Sequence, residues 1–139
     1  MSHADQSLSL FAESASVKLA SDFIRQGAQK AGLPSHRLPE LDLIVEELLM
    51  NVARYAYPPD TRGLVKITYS IPQASCLSVE IADQGVEFNP LELAPPELGA
   101  SLEERAAGGL GVFLIRHYTD SLQYRRDGAW NRVLFLVRG

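Results

Sequence analysis

The sequence predicts an α+β fold, a two-layer sandwich with helices packed on one face of a mixed, mostly antiparallel sheet. Three observations predict it. The chain has 139 residues, 46% of them hydrophobic and 22% charged, which suits one compact domain over residues 1–139 and does not suit a disordered chain. Its helical and strand-like segments follow the order β-α-α-β-β-loop-α-β-β, so strands cluster instead of alternating strictly with helices. Its most regular apolar stripe, on the second helix, is one-sided, as a helix lying on a sheet requires.

Each element has its own signal. Leu8, Leu10 and Ala12 alternate with Ser9 and Phe11 and predict a short first strand. Residues 16–31 carry Val17, Leu19, Ala20, Phe23, Ile24 and Ala28 at three- and four-residue spacings, and Gly32 and Pro34 end that helix. The second helix spans 37–56, with Pro39 tolerated in its first turn. Leu41, Ile44, Val45, Leu48, Leu49, Val52 and Ala56 form its core stripe, and Pro58-Pro59 stops it. Strands at 64–71 and 77–82 follow, joined by a turn containing Pro72 and Gln73.

Residues 86–107 hold Pro90, Pro95, Pro96 and Gly99 with no sustained period, a loop long enough to expect a function for it. Gly108-Gly109-Leu110-Gly111 ends that loop and opens a helix over 112–118. Strands at 121–126 and 132–137 finish the chain around an Asp127-Gly128 turn.

Composition excludes several functions. The net charge is -4, from 13 Lys+Arg and 17 Asp+Glu, and no basic cluster is large enough to neutralise a run of phosphates, which argues against direct nucleic-acid binding. The Arg125-Arg126 pair is read as solvating a strand end. Cys76 stands alone, so neither an intramolecular disulfide nor a cysteine zinc site can form, and its apolar neighbours predict a buried thiol. No apolar run reaches the length of a membrane span, and Met1-Ser2-His3-Ala4-Asp5 lacks the basic start of a signal peptide. The expectation is a soluble, cytoplasmic protein with no membrane contact.

Three places could carry chemistry. Glu47 and Asn51 lie four residues apart, on one face of the second helix, with Arg54 on the same side and the group bordering the core edge. A carboxylate there can orient a nucleophile and an Asn can offer magnesium a hard oxygen, although from the helix alone a solvated face is the favoured reading. Asp83-Gln84-Gly85 follows a strand directly, so its carboxylate could accept a hydrogen bond from an exocyclic amine such as adenine N6, or it is an ordinary turn. The 108–111 glycine cluster at a helix N-terminus exposes backbone amides to an anion, but has neither the Walker A nor the dinucleotide-fold spacing. His36 and His117 have no carboxylate neighbours that would make them phosphoacceptors or metal ligands.

Together, in this order and spacing, the three resemble the N-box, first glycine box and second glycine box of the GHKL (histidine-kinase-like) ATPase superfamily, whose ATP-binding fold is of the Bergerat type. The stretch Glu46-Glu47-Leu48-Leu49-Met50-Asn51-Val52-Ala53-Arg54-Tyr55-Ala56-Tyr57 looks most like the anti-sigma factor serine/threonine kinases of bacterial partner-switching systems, and the resemblance extends over residues 7–137.

The resemblance implies that Glu47 is the general base and that Asn51 is the magnesium ligand. It further implies that Asp83 reads adenine with Gly85 as its companion, and that Gly108, Gly109, Leu110 and Gly111 bind phosphate. Residues 86–108 would form a lid over ATP, with Arg54 and Arg105 reaching the phosphates. Tyr55 stands where the branch commonly has His, and Glu87 where many members have a second glycine. Gly128-Ala129-Trp130-Asn131 replaces the Gly-Thr of the third glycine box, leaving Asn131 to supply the polar group. Implied cofactors are ATP and Mg2+. Implied partners are an anti-anti-sigma protein of the STAS type as phosphoacceptor and a sigma factor sequestered by a homodimer. The alternative is a non-catalytic, nucleotide-dependent interaction module of the same fold. The charge excess also has an address, because residues 86–107 contain five acids and one base while the remainder of the chain balances. An acidic lid opposes an anionic nucleotide unless it stays open or docks on a basic surface.

Overall fold

The computed structural model describes residues 5–92 and 110–139. Strand β1 (Gln6–Phe11) leads into α1 (Val17–Ala31) and α2 (Leu38–Asn51), which runs on as a π-helical turn at Val52–Ala56. Strands β2 (Leu64–Gln73) and β3 (Cys76–Asp83) follow, then α3 (Leu110–Tyr118), β4 (Ser121–Asp127) and β5 (Trp130–Arg138). The strand order is β1-β2-β3-β5-β4. Every pairing among the described residues is antiparallel, so the sheet is simpler than the mixed one expected.

Period-two alternation gives the sheet one apolar face: Val65, Ile67, Tyr69 and Ile71 of β2, Leu77, Val79 and Ile81 of β3, and Val133, Phe135 and Val137 of β5 are all buried. The helices lie on that face. All seven stripe residues of the second helix are buried, which fixes its rotation about its own axis. Helix α1 ends in a Schellman pair, with the Gly32 N–H donating to the Gln29 carbonyl at 3.1 Å and the Leu33 N–H to the Ala28 carbonyl at 3.0 Å. The other sheet face is polar, and across it Arg132 Nη1 donates to Glu80 Oε1 at 2.8 Å.

Three boundaries differ from expectation for physical reasons. The second helix does not stay α-helical to residue 56. Its last five residues widen into a π-turn, and the Ala56 carbonyl accepts the Val86 N–H at 2.8 Å, so tertiary pairing takes over there. Pro72 and Gln73 belong to β2, because a bulge between Ser70 and Gln73 accommodates a residue without an N–H. Ser75, at φ 59°, makes the turn instead. Helix α3 starts at Leu110, which places Gly111 inside its first turn. Cys76 is buried, as its neighbours predict. The structure of the proposed lid beyond Glu92, including Arg105, Gly108 and Gly109, lies outside the described residues.

Candidate functional site

The site forms where the end of α2 meets the end of β3. Because α2 turns its apolar stripe to the sheet, the last residue of the helix is carried under the same cover, and Asn51 is 2% exposed. It lines a small cavity together with Leu48, Ile81, Asp83, Phe88 and Asn131. Asp83 closes β3, is 4% exposed, and pairs in register with Asn131 of β5. A carboxylate buried this far needs donors, and it has them. Its Oδ1 accepts from Asn131 Nδ2 at 2.9 Å and from the Gly85 N–H at 2.9 Å.

Gly85 must be glycine for a steric reason, since a Cβ there would fall on the Ala56 carbonyl that the π-turn delivers to this loop. Tyr57 ties the same loop from the other side, donating its hydroxyl to the Leu64 carbonyl at 2.7 Å and accepting the Gln84 N–H at 3.1 Å. The Phe88 ring stacks on Tyr55 with centroids 4.8 Å apart. Tyr55, which stands where the branch commonly has His, thus supports a residue that lines the cavity. Glu87 is exposed and does not line it.

Glu47 lies one helical turn before Asn51, half-buried, and outside that cavity's lining. It faces α3, where a Cβ on Gly111 would collide with its carboxylate, so glycine there leaves the Glu47 side chain in this position. Gly111, which the resemblance groups with phosphate-binding glycines, here lies against Glu47. Burial raises the Glu47 carboxyl above its ordinary value, opposed by the Arg54 charge and reinforced by Glu46. Arg54 itself is exposed, and its charge reaches Glu47. Burial also raises the Asp83 carboxyl, against the Asn131 hydrogen bond, the Gly85 N–H and the charge of Arg126.

The structure thus brings Asn51, Asp83 and Asn131 to one cavity, ties Gly85 to Asp83, and sets Gly111 and the Arg54 charge against Glu47, one helical turn from Asn51. Among the described residues no cluster of His, Cys, Asp and Glu could hold a metal ion unaided. Sequence reasoning missed Tyr124 and Arg126. Arg126 does not simply solvate a strand end: its Nη1 donates to the Gly85 carbonyl at 3.0 Å and to Asn131 Oδ1 at 3.1 Å. The signal was the alternation of Leu122, Tyr124 and Arg126, all three of them partly buried on one side of β4.

A family model, the histidine kinase-like ATPase domain, matches residues 10–136. The chain is 31% identical over 93 residues to the serine/threonine-protein kinase BtrW of Bordetella bronchiseptica, covering 67% of this chain and 65% of that protein. It is 29% identical over 104 residues to the serine-protein kinase RsbW of Listeria innocua, covering 72% of this chain and 66% of that one. Each match spans slightly under two thirds of the relative's length. The crystal structure of the RsbU and RsbW domains of a Mycobacterium tuberculosis protein superposes with a TM-score of 0.65 at 9% identity, covering 98% of this chain and 32% of that one, a likeness of fold. No helix among the described residues is long and apolar enough to cross a membrane. The family match reaches from the first strand through the last, over the same elements that build the cavity, and the chain belongs to the histidine kinase-like ATPase domain family.

Proposed function

We propose that this chain is a cytoplasmic protein serine/threonine kinase that transfers the γ-phosphoryl group of ATP to a partner protein. The observation that carries this reading is the half-buried, proton-avid Glu47 one helical turn from buried Asn51, beside the Asp83 cavity. An ATPase site needs a base only to orient a nucleophile, and a carboxyl raised toward neutral pH is suited to it. Glu47 takes the proton of a Ser or Thr hydroxyl while that oxygen bonds to the γ-phosphorus. The bond from the γ-phosphorus to the β-γ bridging oxygen breaks, and ADP leaves with the electron pair.

Asp83 accepts a hydrogen bond from the adenine amine in this reading, and Arg54, Arg105 and residues 108–111 face the phosphates. Magnesium supplies neutralisation of phosphate charge when bound. Asn51 is the residue that would hold it, a single hard oxygen suiting a cation that arrives with phosphates and keeps its waters. Residues 1–139 act as one domain, with 86–108 as the nucleotide lid. The serine-kinase names of the relatives support the transfer itself. An anti-anti-sigma acceptor of the STAS type, a sequestered sigma factor and a homodimeric state are what the sequence resemblance adds to the proposal.

Incubation with magnesium, γ-labelled ATP and a candidate STAS partner tests the reading. Label is expected on the partner, reduced about 10²- to 10⁴-fold in Glu47→Gln with ADP binding retained. Tight ADP binding with no transfer by wild type would leave the non-catalytic interaction module in its place.

A further inference from the structure

The amide of Asn131 is the most heavily used side chain in the described site. Its Nδ2 donates to Asp83 Oδ1 at 2.9 Å and to the Val86 carbonyl at 2.7 Å. Its Oδ1 accepts from the Phe88 N–H at 3.1 Å, the Tyr124 hydroxyl at 2.6 Å and Arg126 Nη1 at 3.1 Å. A primary amide has two N–H donors and two lone pairs, so both donors and the whole acceptor capacity are committed inside the protein. A side chain 2% exposed and saturated in this way has nothing left to offer a ligand. Asp83 is different, because the bonds it accepts fall on Oδ1 and leave Oδ2 for an incoming donor.

We infer that Asn131 is a positioning residue and not a nucleotide ligand: it orients Asp83 and pins the 86–88 turn, with Tyr124 and Arg126 fixing the amide itself. The inference rests on the nucleotide-binding reading above for its ligand, but its geometry does not. Each end of the amide has a separate task. The Nδ2 end holds the carboxylate and the start of the turn, and the Oδ1 end holds the Phe88 backbone, whose ring covers the cavity. Arg126 joins the two halves, touching both Asn131 Oδ1 and the Gly85 carbonyl. The hydrogen bond from Asn131 and the charge of Arg126 both favour the ionised Asp83 against the burial that opposes it.

Asn131→Asp keeps the three acceptor contacts, removes the two donors and sets a second negative charge 2.9 Å from Asp83. Tyr124→Phe, which loosens the amide and adds no charge, is therefore read beside it. In wild type, ADP is expected to bind better than inosine diphosphate, which lacks the amine. In Asn131→Asp, ADP affinity should fall about tenfold or more, as for loss of a hydrogen bond to a charged group, and the preference over inosine diphosphate should shrink. The acidic limb of the ADP-binding pH profile should move to higher pH as Asp83 holds its proton longer. Without nucleotide, the Asp83 carboxyl 13C titration should shift the same way and Gly85 amide exchange should accelerate, while the Val79 amide stays protected.

A folded Asn131→Asp protein with unchanged affinity, unchanged base preference and an unmoved Asp83 titration overturns the inference. Tyr124→Phe, which removes one anchor of the amide without adding charge, is read by the same measurements, and unchanged values there overturn the inference whatever Asn131→Asp shows. Wild type that binds no adenine nucleotide would sink the proposed function, while the carboxyl titration and amide exchange would still decide the role of Asn131.

Discussion

Glu47 shows how a residue suited to chemistry can weaken the fold that carries it. Its carboxyl is held above its ordinary value by burial, so the folded state penalises the ionised form. A raised folded pKa means stability that is fully present below the ordinary carboxylate range and is lost as pH rises through the raised value. Glu47→Gln removes that loss. The variant is expected to melt above wild type at neutral pH, with the gain shrinking as pH falls and vanishing in acid, where Glu47 carries its own proton. Melting temperature against pH checks this, and a wild type at least as stable as the variant at pH 7 would contradict it. Stability gained where activity is lost is common for groups placed for function.

At the scale of elements, α2 and α3 are coupled through Gly111. Gly111→Ala puts a methyl group against the end of the Glu47 side chain, which must swing aside, so it should cost about 0.5–1.5 kcal/mol, as for one strained rotamer, and depress phosphoryl transfer by displacing the carboxylate. In a Glu47→Ala background the methyl group has room, and the stability penalty should largely disappear; chemical denaturation of the four proteins of this cycle measures the coupling. Leu48→Ala, by contrast, empties the core between α2 and the sheet and should cost about 2–5 kcal/mol whatever occupies position 111.

These elements also mark how far sequence reasoning reaches. The stripe from Leu41 to Ala56 was legible because local periodicity and burial agree, and that alone positions Glu47 and Asn51. Asp83 was legible as a strand end. The π-turn was not, since Val52-Ala53-Arg54-Tyr55-Ala56 contains no Gly or Pro, and the bond that accompanies it comes from Val86, thirty residues away. Tyr124 and Arg126 were hidden for a similar reason. Their partner lies across a hairpin, and a pair of arginines at a strand end looks solvated until register is known.

At the scale of the whole molecule, charge is divided unevenly. The five acids and one base of residues 86–107 account for the entire excess of the chain. Neutralising Glu103 and Glu104 should change the salt dependence of partner association, because on-rates respond to local fields that ions screen. Identical association rates across ionic strengths would count against that.

The buried Cys76 gives the same molecule an internal clock. As the chain's single thiol, 2% exposed where β3 begins beside β2 and β5, it reacts with a reagent only in states that open the sheet. Its labelling rate therefore counts openings, with no probe added and no residue changed. A nucleotide that binds only the closed form should slow the clock by a factor of one plus the ratio of its free concentration to its Kd, about a hundredfold at a hundred times the Kd. A rate indifferent to nucleotide would place the opening in a local fraying of the β2–β3 hairpin, separate from the cavity at the other end of β3.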